Sequence, residues 1–326
     1  MLVGLTYDLK SEYLKMGFSD EQAAEFDKEE TIEGIENSLN QLGYKTERIG
    51  HIKQLVNQLV RGKKWDIVFN ICEGVYGIGR EAQVPALLDA YNIPYVFSNP
   101  LVLSLTLHKA MTKRVIRDAK VATPDFYVVY SSNDIKNVNI PFPIFAKPLC
   151  EGTGKGISSK SIIYNIQELN SICNELLEKF KQPVLVEKYL PGREFTVGIV
   201  GTGENAQCVG VIEVNFTKHA EASVYSYTNK DDYYQRIIYT VPETNIYKKC
   251  EDIAIKAWQI LECEDGGRVD VRMDENGILN FIEVNPLPGL NYIHSDLPIL
   301  AYKQGFTYTQ LIEKIMNSAT KKLKSN

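Results

Sequence analysis

Two strand-like runs near the C-terminus hold the residues best suited to chemistry, Arg268-Val269-Asp270-Val271-Arg272 and Phe281-Ile282-Glu283-Val284-Asn285, with Asn276-Gly277 between them. Asn-Gly is the favoured pair for a two-residue type I′ hairpin turn, because both positions need a positive φ. With those two residues as the loop, Asp270 falls opposite Glu283 and Arg268 opposite Asn285. Strand alternation then puts Arg268, Asp270, Arg272, Phe281, Glu283 and Asn285 on one face, and Val269, Val271, Ile282 and Val284 on the apolar other. Two carboxylates directly across a ladder repel. A cation between them removes that cost, and oxygen ligands from Asp, Glu and Asn suit Mg²⁺, which keeps waters and takes further ligands from phosphates. The same residues also suit a solvated sheet face whose acids Arg268 and Arg272 neutralise, and a three-residue loop would break the shared face. The hairpin alone leaves both readings open.

Upstream, the apolar run Phe142–Pro148 ends in Lys147 and runs into Glu151-Gly152-Thr153-Gly154-Lys155-Gly156-Ile157-Ser158. Glycine at alternate positions brings backbone N–H groups close to phosphate oxygens, and lysines add charge. The spacing matches neither the P-loop nor the dinucleotide fingerprint, and by itself it suits a plain turn. Next comes Val184–Leu190, a strand ending in Glu187-Lys188, then Pro191-Gly192-Arg193-Glu194. Such an end offers backbone and carboxylate groups to an adenine edge, or is simply a strand-end charge pair.

The elements that must position these residues alternate in the first hundred positions. Strand signals at 2–7, 45–49, 66–72 and 94–97 alternate with helix signals at 30–43, 51–63 and 82–91, which predicts a parallel sheet with helices on both faces. A helix is expected over 106–119, followed by a strand at 126–129, a helix at 166–180 and strands at 184–189 and 195–200. Alternation over 207–225 and 235–241 predicts antiparallel strands, joined by a polar loop at 226–234. A helix at 246–261 precedes the hairpin, and another covers roughly 307–318. The 326 residues suit two or three compact units. A formal net charge of -5 argues against general binding to nucleic acid or an anionic membrane. Six cysteines without CxxC spacing read as reduced thiols, not a disulfide frame or zinc site. The N-terminus lacks a signal-peptide pattern and no window reaches the ~18 apolar residues of a membrane span, so a cytoplasmic protein is expected.

In this order the motifs resemble the ATP-grasp superfamily, and within it the D-alanine:D-alanine ligase branch, over about residues 60–315. The signatures are Leu107-His108-Lys109, Lys147 with the 151–158 loop, Glu187-Lys188-Tyr189-Leu190 with Gly192-Arg193-Glu194, Gly267-Arg268-Val269-Asp270, and Glu283-Val284-Asn285-Pro286-Leu287-Pro288-Gly289. The resemblance implies a mixed α/β and α+β chain. An N-terminal parallel α/β domain would cover 1–104, a small central α+β domain 105–192, and a C-terminal domain with an antiparallel sheet 193–326. ATP would lie between the last two. It implies an enzyme that forms an amide bond between a carboxylate and an amine through an acyl phosphate. ATP and Mg²⁺ would serve it, two metal ions being usual and Mn²⁺ able to substitute. Lys109 and Lys147 then match the phosphate lysines, with Glu151, Gly152, Thr153, Gly154 and Gly156 in the loop over them. Glu187, Lys188 and Leu190 match the adenine side and Glu194 the ribose acceptor. Asp270, Glu283 and Asn285 match the metal ligands. Arg268 and Gly289 match the groups that stabilise the intermediate, and Lys230 the lysine of a mobile loop that reaches the terminal phosphate. Ser295 matches the serine holding the second substrate's carboxylate. A homodimer packed through the N-terminal domain is the implied assembly.

The amino-acid half departs from the pattern. The first strand ends in Thr6-Tyr7-Asp8-Leu9-Lys10-Ser11-Glu12 without the family's glycines, leaving Asp8 or Glu12 to hold a substrate amine. Residues 11–28 form a polar insertion. Cys72–Glu81 has Glu73 in place of a histidine and brings in the pair Arg80-Glu81; His108 precedes Lys109 where the family has Asp, and Asp231 follows Lys230 where a tyrosine is usual. The expected substrates are therefore amino acids, peptides or other small carboxylates and amines, with no nucleic acid and no membrane. A nucleotide-binding protein without catalysis is the alternative from another class.

Overall fold

The computed structural model describes residues 1–217 and 237–323. Strands β1 (Leu2–Tyr7), β2 (Lys45–Gly50), β3 (Ile67–Ile71) and β4 (Tyr95–Val96) form a parallel sheet in the order β2-β1-β3-β4. Every residue of β3 is buried, as expected for an unbroken apolar run covered on both faces. Helices α1 (Lys10–Lys15), α2 (Glu29–Gln41), α3 (Ile52–Val60) and α4 (Gln83–Ala90) accompany it. Short α1 has no counterpart in the sequence reading, because its six residues give too little periodicity to be seen.

The helix expected over 106–119 is two helices, α5 (Pro100–Leu107) and α6 (Lys109–Asp118), which meet at His108. Asn99 caps α5 through its side chain, with Pro100 at the first helical position, a standard start signal. His108 leaves helical geometry at ψ 84° and its Nδ1 accepts the Met111 N–H at 3.2 Å. The break puts Lys109 at the start of α6. Strands β5 (Phe126–Val129), β6 (Ile144–Pro148), β7 (Ile162–Ile163) and β8 (Val184–Lys188) make a second sheet, ordered β5-β8-β6-β7. Helix α7 (Ile166–Phe180) packs on it through Leu169, Cys173 and Leu176.

The third sheet is antiparallel and ordered β11-β10-β9-β12-β13, from β9 (Glu194–Val200), β10 (Gln207–Phe216), β11 (Ile237–Thr240), β12 (Gly266–Met273) and β13 (Leu279–Asn285). Helix α8 (Thr244–Ile260) lays Cys250, Ala254, Ala257 and Trp258 against its apolar face. Backbone and helix meet closely here. A Cβ on Gly267 would lie 2.3 Å from the Asn285 carbonyl oxygen and 2.8 Å from the Trp258 ring, so only glycine fits. Helices α9 (Asp296–Lys303) and α10 (Tyr308–Lys322) complete the chain, and α9 was not anticipated. The expected strand over 217–225 and loop at 226–234 lie almost entirely outside the described residues.

The β12–β13 hairpin differs from expectation in one detail and keeps its consequence. Asp274 N–H donates to the Ile278 carbonyl at 2.9 Å and Gly277 N–H to the Asp274 carbonyl at 3.1 Å, so the loop has three residues, with Gly277 at φ 76°. Near the turn the pairs are Met273–Leu279, Arg272–Asn280 and Val271–Phe281, one residue off the two-residue register. A bulge between Asp270 and Val271 then takes up Ile282 and restores Asp270–Glu283, Val269–Val284 and Arg268–Asn285. Two side chains change sides in consequence. Phe281 joins Val269, Val271 and Val284 in the core, and Ile282 faces the cleft.

Candidate active site

Lys147, on β6, and Glu187, on β8, belong to neighbouring strands in the central sheet, and their charged ends meet 2.9 Å apart. Lys113, one helical turn past Lys109 on α6, reaches the same carboxylate at 2.9 Å and donates to Thr123 Oγ1 at 3.1 Å. Two ammonium groups thus share one buried anion. Burial works against the Glu187 carboxylate, but Lys113 and Lys147 hold it below its usual range. Burial would also lower Lys147, yet Glu187 and Glu283 keep it above its ordinary value. For Lys113 burial wins despite Glu187, and its pKa falls to about 8.

Glu283 lies 3.8 Å from Lys109 and 4.0 Å from Lys147, which joins the hairpin to these lysines. Lys109 is only 8% exposed and donates 2.6 Å to the Glu151 carbonyl at the head of the glycine-rich loop. Asp270 accepts from Thr196 Oγ1 at 2.9 Å and contacts the Arg268 guanidinium, which also lies 3.6 Å from Asp296. Burial opposes the Arg268 charge, but Asp270, Asp296 and Glu283 raise its pKa further above its already high value. Glu194, at the start of β9, binds Arg272 at 2.9 Å. Between these groups runs a cleft lined by Phe145, Lys147, Leu190, Glu194, Ile282 and Glu283, among others. Lys188, also in the lining, pairs with Glu275 on the hairpin loop at 2.6 Å. The loop residues Thr153, Gly154 and Gly156 take positive φ.

A second cavity opens beside the hairpin and is walled by Arg268, Asn285, Gly289 and Ser295 from the C-terminal half and by residues 24–28 and Glu73 from the N-terminal half. Ser295 Oγ accepts the Asn291 N–H at 3.0 Å, and a Cβ on Gly289 would sit 2.8 Å from that oxygen. Ser295 and Gly289 therefore meet, although His294-Ser295 stands one residue further on than in the family's pattern. Neither Asp8 nor Glu12 lines this cavity. Asp8 is buried beneath it, accepting from Tyr13 Oη at 2.6 Å and Gly74 N–H at 2.8 Å. The acids in the cavity wall are instead Glu25, Asp27, Glu73 and Asp296. Burial, with Glu81 and Glu25 nearby, raises Glu73 well above the usual carboxylate range. Arg80 turns to Glu25 at 3.2 Å and to the Cys150 carbonyl at 2.8 Å.

Of the candidate residues named from sequence, Asp8, Glu12, Lys109, Glu151, Gly152 and Gly156 line neither space, Lys230 lies outside the described residues, and the others line one space or the other. The structure adds Lys113, Thr196, Arg272, Glu25 and Asp296. Lys113 had a legible signal, since it lies four residues from Lys109 and so on the same helix face. Glu25 had none, because its partners Arg80, Gly152 and Lys155 all lie in distant segments of the chain.

Asp27 carries a pH prediction. Burial and the neighbouring Asp8 push its pKa up to about 8, against a hydrogen bond from Thr31. A carboxyl whose folded pKa is raised holds its proton more tightly when folded, so stability falls as pH rises through the window from about 4 to about 8. Thermal melts of Asp27→Asn should therefore show a flatter pH profile than wild type and a gain of about 1 kcal/mol at pH 8, where burial is incomplete and solvent screens the charge. An unchanged profile would show that Asp27 is ionised at neutral pH.

The three-sheet architecture with a nucleotide-type cleft between the central and C-terminal sheets is that of an ATP-grasp ligase. A family model described as "D-ala D-ala ligase C-terminus" matches residues 115–317. The D-alanine–D-alanine ligase of Bordetella avium is 30% identical over 251 residues, 76% of each chain, and that of Aquifex aeolicus is 29% identical over 287 residues, 88% of this chain and 93% of its own. The crystal structure of D-alanine–D-alanine ligase from Bacillus anthracis complexed with ATP superposes with a TM-score of 0.74 at 22% identity, covering 100% of this chain and 99% of that one. The chain belongs to the D-alanine–D-alanine ligase family. It is an enzyme of the ATP-dependent class that forms C–N bonds.

Proposed function

We propose that the cleft binds Mg-ATP through Lys109, Lys147, the 151–156 loop, Glu187, Lys188, Leu190 and Glu194, and that the adjoining cavity joins an amino-acid carboxylate to an amine. The observation carrying this reading is the placement of Glu283, directly across from Asp270, within 4.0 Å of two buried lysines at the boundary of the two spaces. A substrate carboxylate oxygen attacks the γ-phosphorus, the bond to the β-phosphate oxygen breaks, and ADP leaves. The amine nitrogen then attacks the acyl phosphate carbonyl, the C–O bond to phosphate breaks, and the nitrogen loses a proton. Lys109 and Lys147 spread the charge of the transferring group, and Lys230 is assigned the same task on loop closure. Arg268 faces the phosphorylated intermediate and the Gly289 N–H the developing oxyanion, while Ser295 receives the second substrate's carboxylate. An enclosed site protects an acyl phosphate from water.

The hard oxygens of Asp270, Glu283 and Asn285 suit Mg²⁺, or Mn²⁺ in its place, better than a softer metal. Among the described residues no three His, Cys, Asp or Glu side chains gather as a metal group, so two carboxylates and one amide leave positions for water and phosphate. When bound, the metal supplies charge neutralisation at the transferring phosphoryl group. Six free thiols and a need for ATP fit a cytoplasmic enzyme. The exposed Val56 and Val60 on α3 offer an apolar face for a homodimer.

The substrates are D-alanine or a close relative, D-alanyl-D-alanine synthesis being the precedent in the family; Asp27, Glu73 and Asp296 in the cavity wall favour a changed amino acid or amine as the second reading. Phosphate release from Mg-ATP across a panel of D- and L-amino acids and dipeptides decides. Turnover with D-alanine alone supports the first reading, and turnover with another member supports the second. Tight Mg-ATP binding without turnover on any member would mean a nucleotide-binding protein and overturn the ligase assignment.

A further inference from the structure

The polar insertion expected at 11–28 is folded, as a segment over residues 10–27. Lys10 N–H donates to the Asp27 carbonyl at 2.8 Å and Asp27 N–H to the Asp8 carbonyl at 3.0 Å, so the two ends of the segment are pinned together. Inside it Tyr13, Ala23 and Phe26 are buried with Phe18 and Val75 packed on them, and the Tyr13 and Phe26 rings lie 4.3 Å apart. A short closed loop with its own apolar contacts holds its shape and can aim a side chain.

The side chain it aims is Glu25, which is only 7% exposed. One carboxylate oxygen accepts the Gly152 N–H at 2.7 Å, and the other accepts Lys155 Nζ at 3.0 Å and Arg80 Nη2 at 3.2 Å. Lys155 also reaches the Glu151 carboxylate at 3.2 Å, and Glu151 accepts Gln182 Nε2 at 2.7 Å. A second strut, Glu21 to Lys179 at 2.6 Å, runs from the same segment to α7. Glu25 and Thr153 both wall the cavity that holds Arg268 and Ser295. One buried carboxylate therefore touches the substrate space on one side and the backbone of the phosphate-covering loop on the other.

Resting on the ATP-cleft reading above, we infer that Glu25 is a positioning residue: it latches the glycine-rich loop to the 10–27 segment, so that enclosing the substrate and closing over ATP are one event. Lys155 is committed to the latch and leaves the phosphates to Lys109 and Lys147. Charge-assisted hydrogen bonds to a backbone amide and two cations within a buried cluster are the strong kind, which gives the latch the strength to bias a loop.

Hydrogen exchange of the ligand-free full chain tests the latch without reference to ATP. In Glu25→Gln, amides of 151–157 should exchange at least about 10-fold faster, with the 266–285 hairpin unchanged. Lys155→Met, which leaves Arg80 to neutralise Glu25, should give the same local opening if Glu25→Gln loses stability globally, and the double variant should open the loop no further than either single one. Mg-ATP titration should show about 5- to 10-fold weaker binding for each single variant. Unchanged exchange at 151–157 in both single variants, or additive effects in the double, would overturn the latch. Faster exchange with undiminished Mg-ATP affinity would overturn its link to ATP. Failure of the wild type itself to bind Mg-ATP would sink the cleft reading, and the exchange result would still judge the latch.

Discussion

Glu283→Ala is expected to lower turnover by roughly 10³-fold or more, because it removes one of two facing carboxylates at the proposed cation site. The fold should survive. Glu283 keeps 28% of its side chain open to solvent, and its contacts to Lys109 and Lys147 are long, at 3.8 and 4.0 Å. Lys109 and Lys147 keep nearer partners in the Glu151 carbonyl and Glu187, and the substitution also relieves the repulsion from Asp270 directly across the ladder. The thermal midpoint should therefore move little. The decisive measurement is the Mg²⁺ dependence of ATP binding. In wild type added Mg²⁺ should strengthen it, and in Glu283→Ala that strengthening should largely vanish. Retained turnover, or an intact Mg²⁺ response, sinks the assignment of Asp270, Glu283 and Asn285 to the metal.

How far the hairpin could be read from sequence has a physical answer. The pairing of Asp270 with Glu283 and Arg268 with Asn285 was legible, although Asn276-Gly277 does not form the two-residue turn that its residue types favour. The loop has three residues and the bulge at Ile282 compensates. Two departures of one residue each cancel at the site and show only between them, where Phe281 and Ile282 exchange faces. Apolar residues at both positions left the binary pattern silent about the bulge. Local periodicity likewise located α7 and most strands, whereas the break at His108 was hidden because Leu107 to Met111 reads as one continuous amphipathic run. The cap that makes the break, His108 Nδ1 to Met111 N–H, is a side-chain choice with weak sequence preference.

The residues proposed for the nucleotide were easier to pick out in the sequence than those of the proposed substrate cavity for a related reason. Lys147, the glycines and the Glu187 strand act through local chain geometry, so their spacing carries information. The substrate cavity is built by tertiary meetings between distant segments: Glu25 with Gly152 and Lys155, Asn291 with Glu30 and Thr31, Arg268 with Asp296. Each of these residues is unremarkable in its own neighbourhood. Resemblance to the family made Asp8 a candidate to hold a substrate amine, but Tyr13 and the Gly74 amide already hold that carboxylate.

Glu187→Gln should be among the most destabilising single changes in the chain, at about 3–5 kcal/mol, since it strips the counter-ion from two buried ammonium groups. Lys113 is fully enclosed and Lys147 is 4% exposed, and each lies 2.9 Å from the carboxylate that would be lost. Lys113 already bears the cost of burial, its pKa lying near 8 even with Glu187 present. Without that anion it should fall further below its unfolded value. A lysine with a depressed folded pKa sheds its proton on folding, so the variant should regain stability as pH rises from about 7 to about 9. Lys113→Met added to Glu187→Gln should recover part of the loss at pH 7 and reduce the regain at high pH, because one buried ammonium without its anion, at Lys147, replaces two. Denaturant melts of wild type and the two variants at pH 7 and pH 9 measure both effects. A Glu187→Gln protein as stable as wild type, or one indifferent to the Lys113 substitution, would show that the triad is solvated and that Glu187 is free to serve the nucleotide alone.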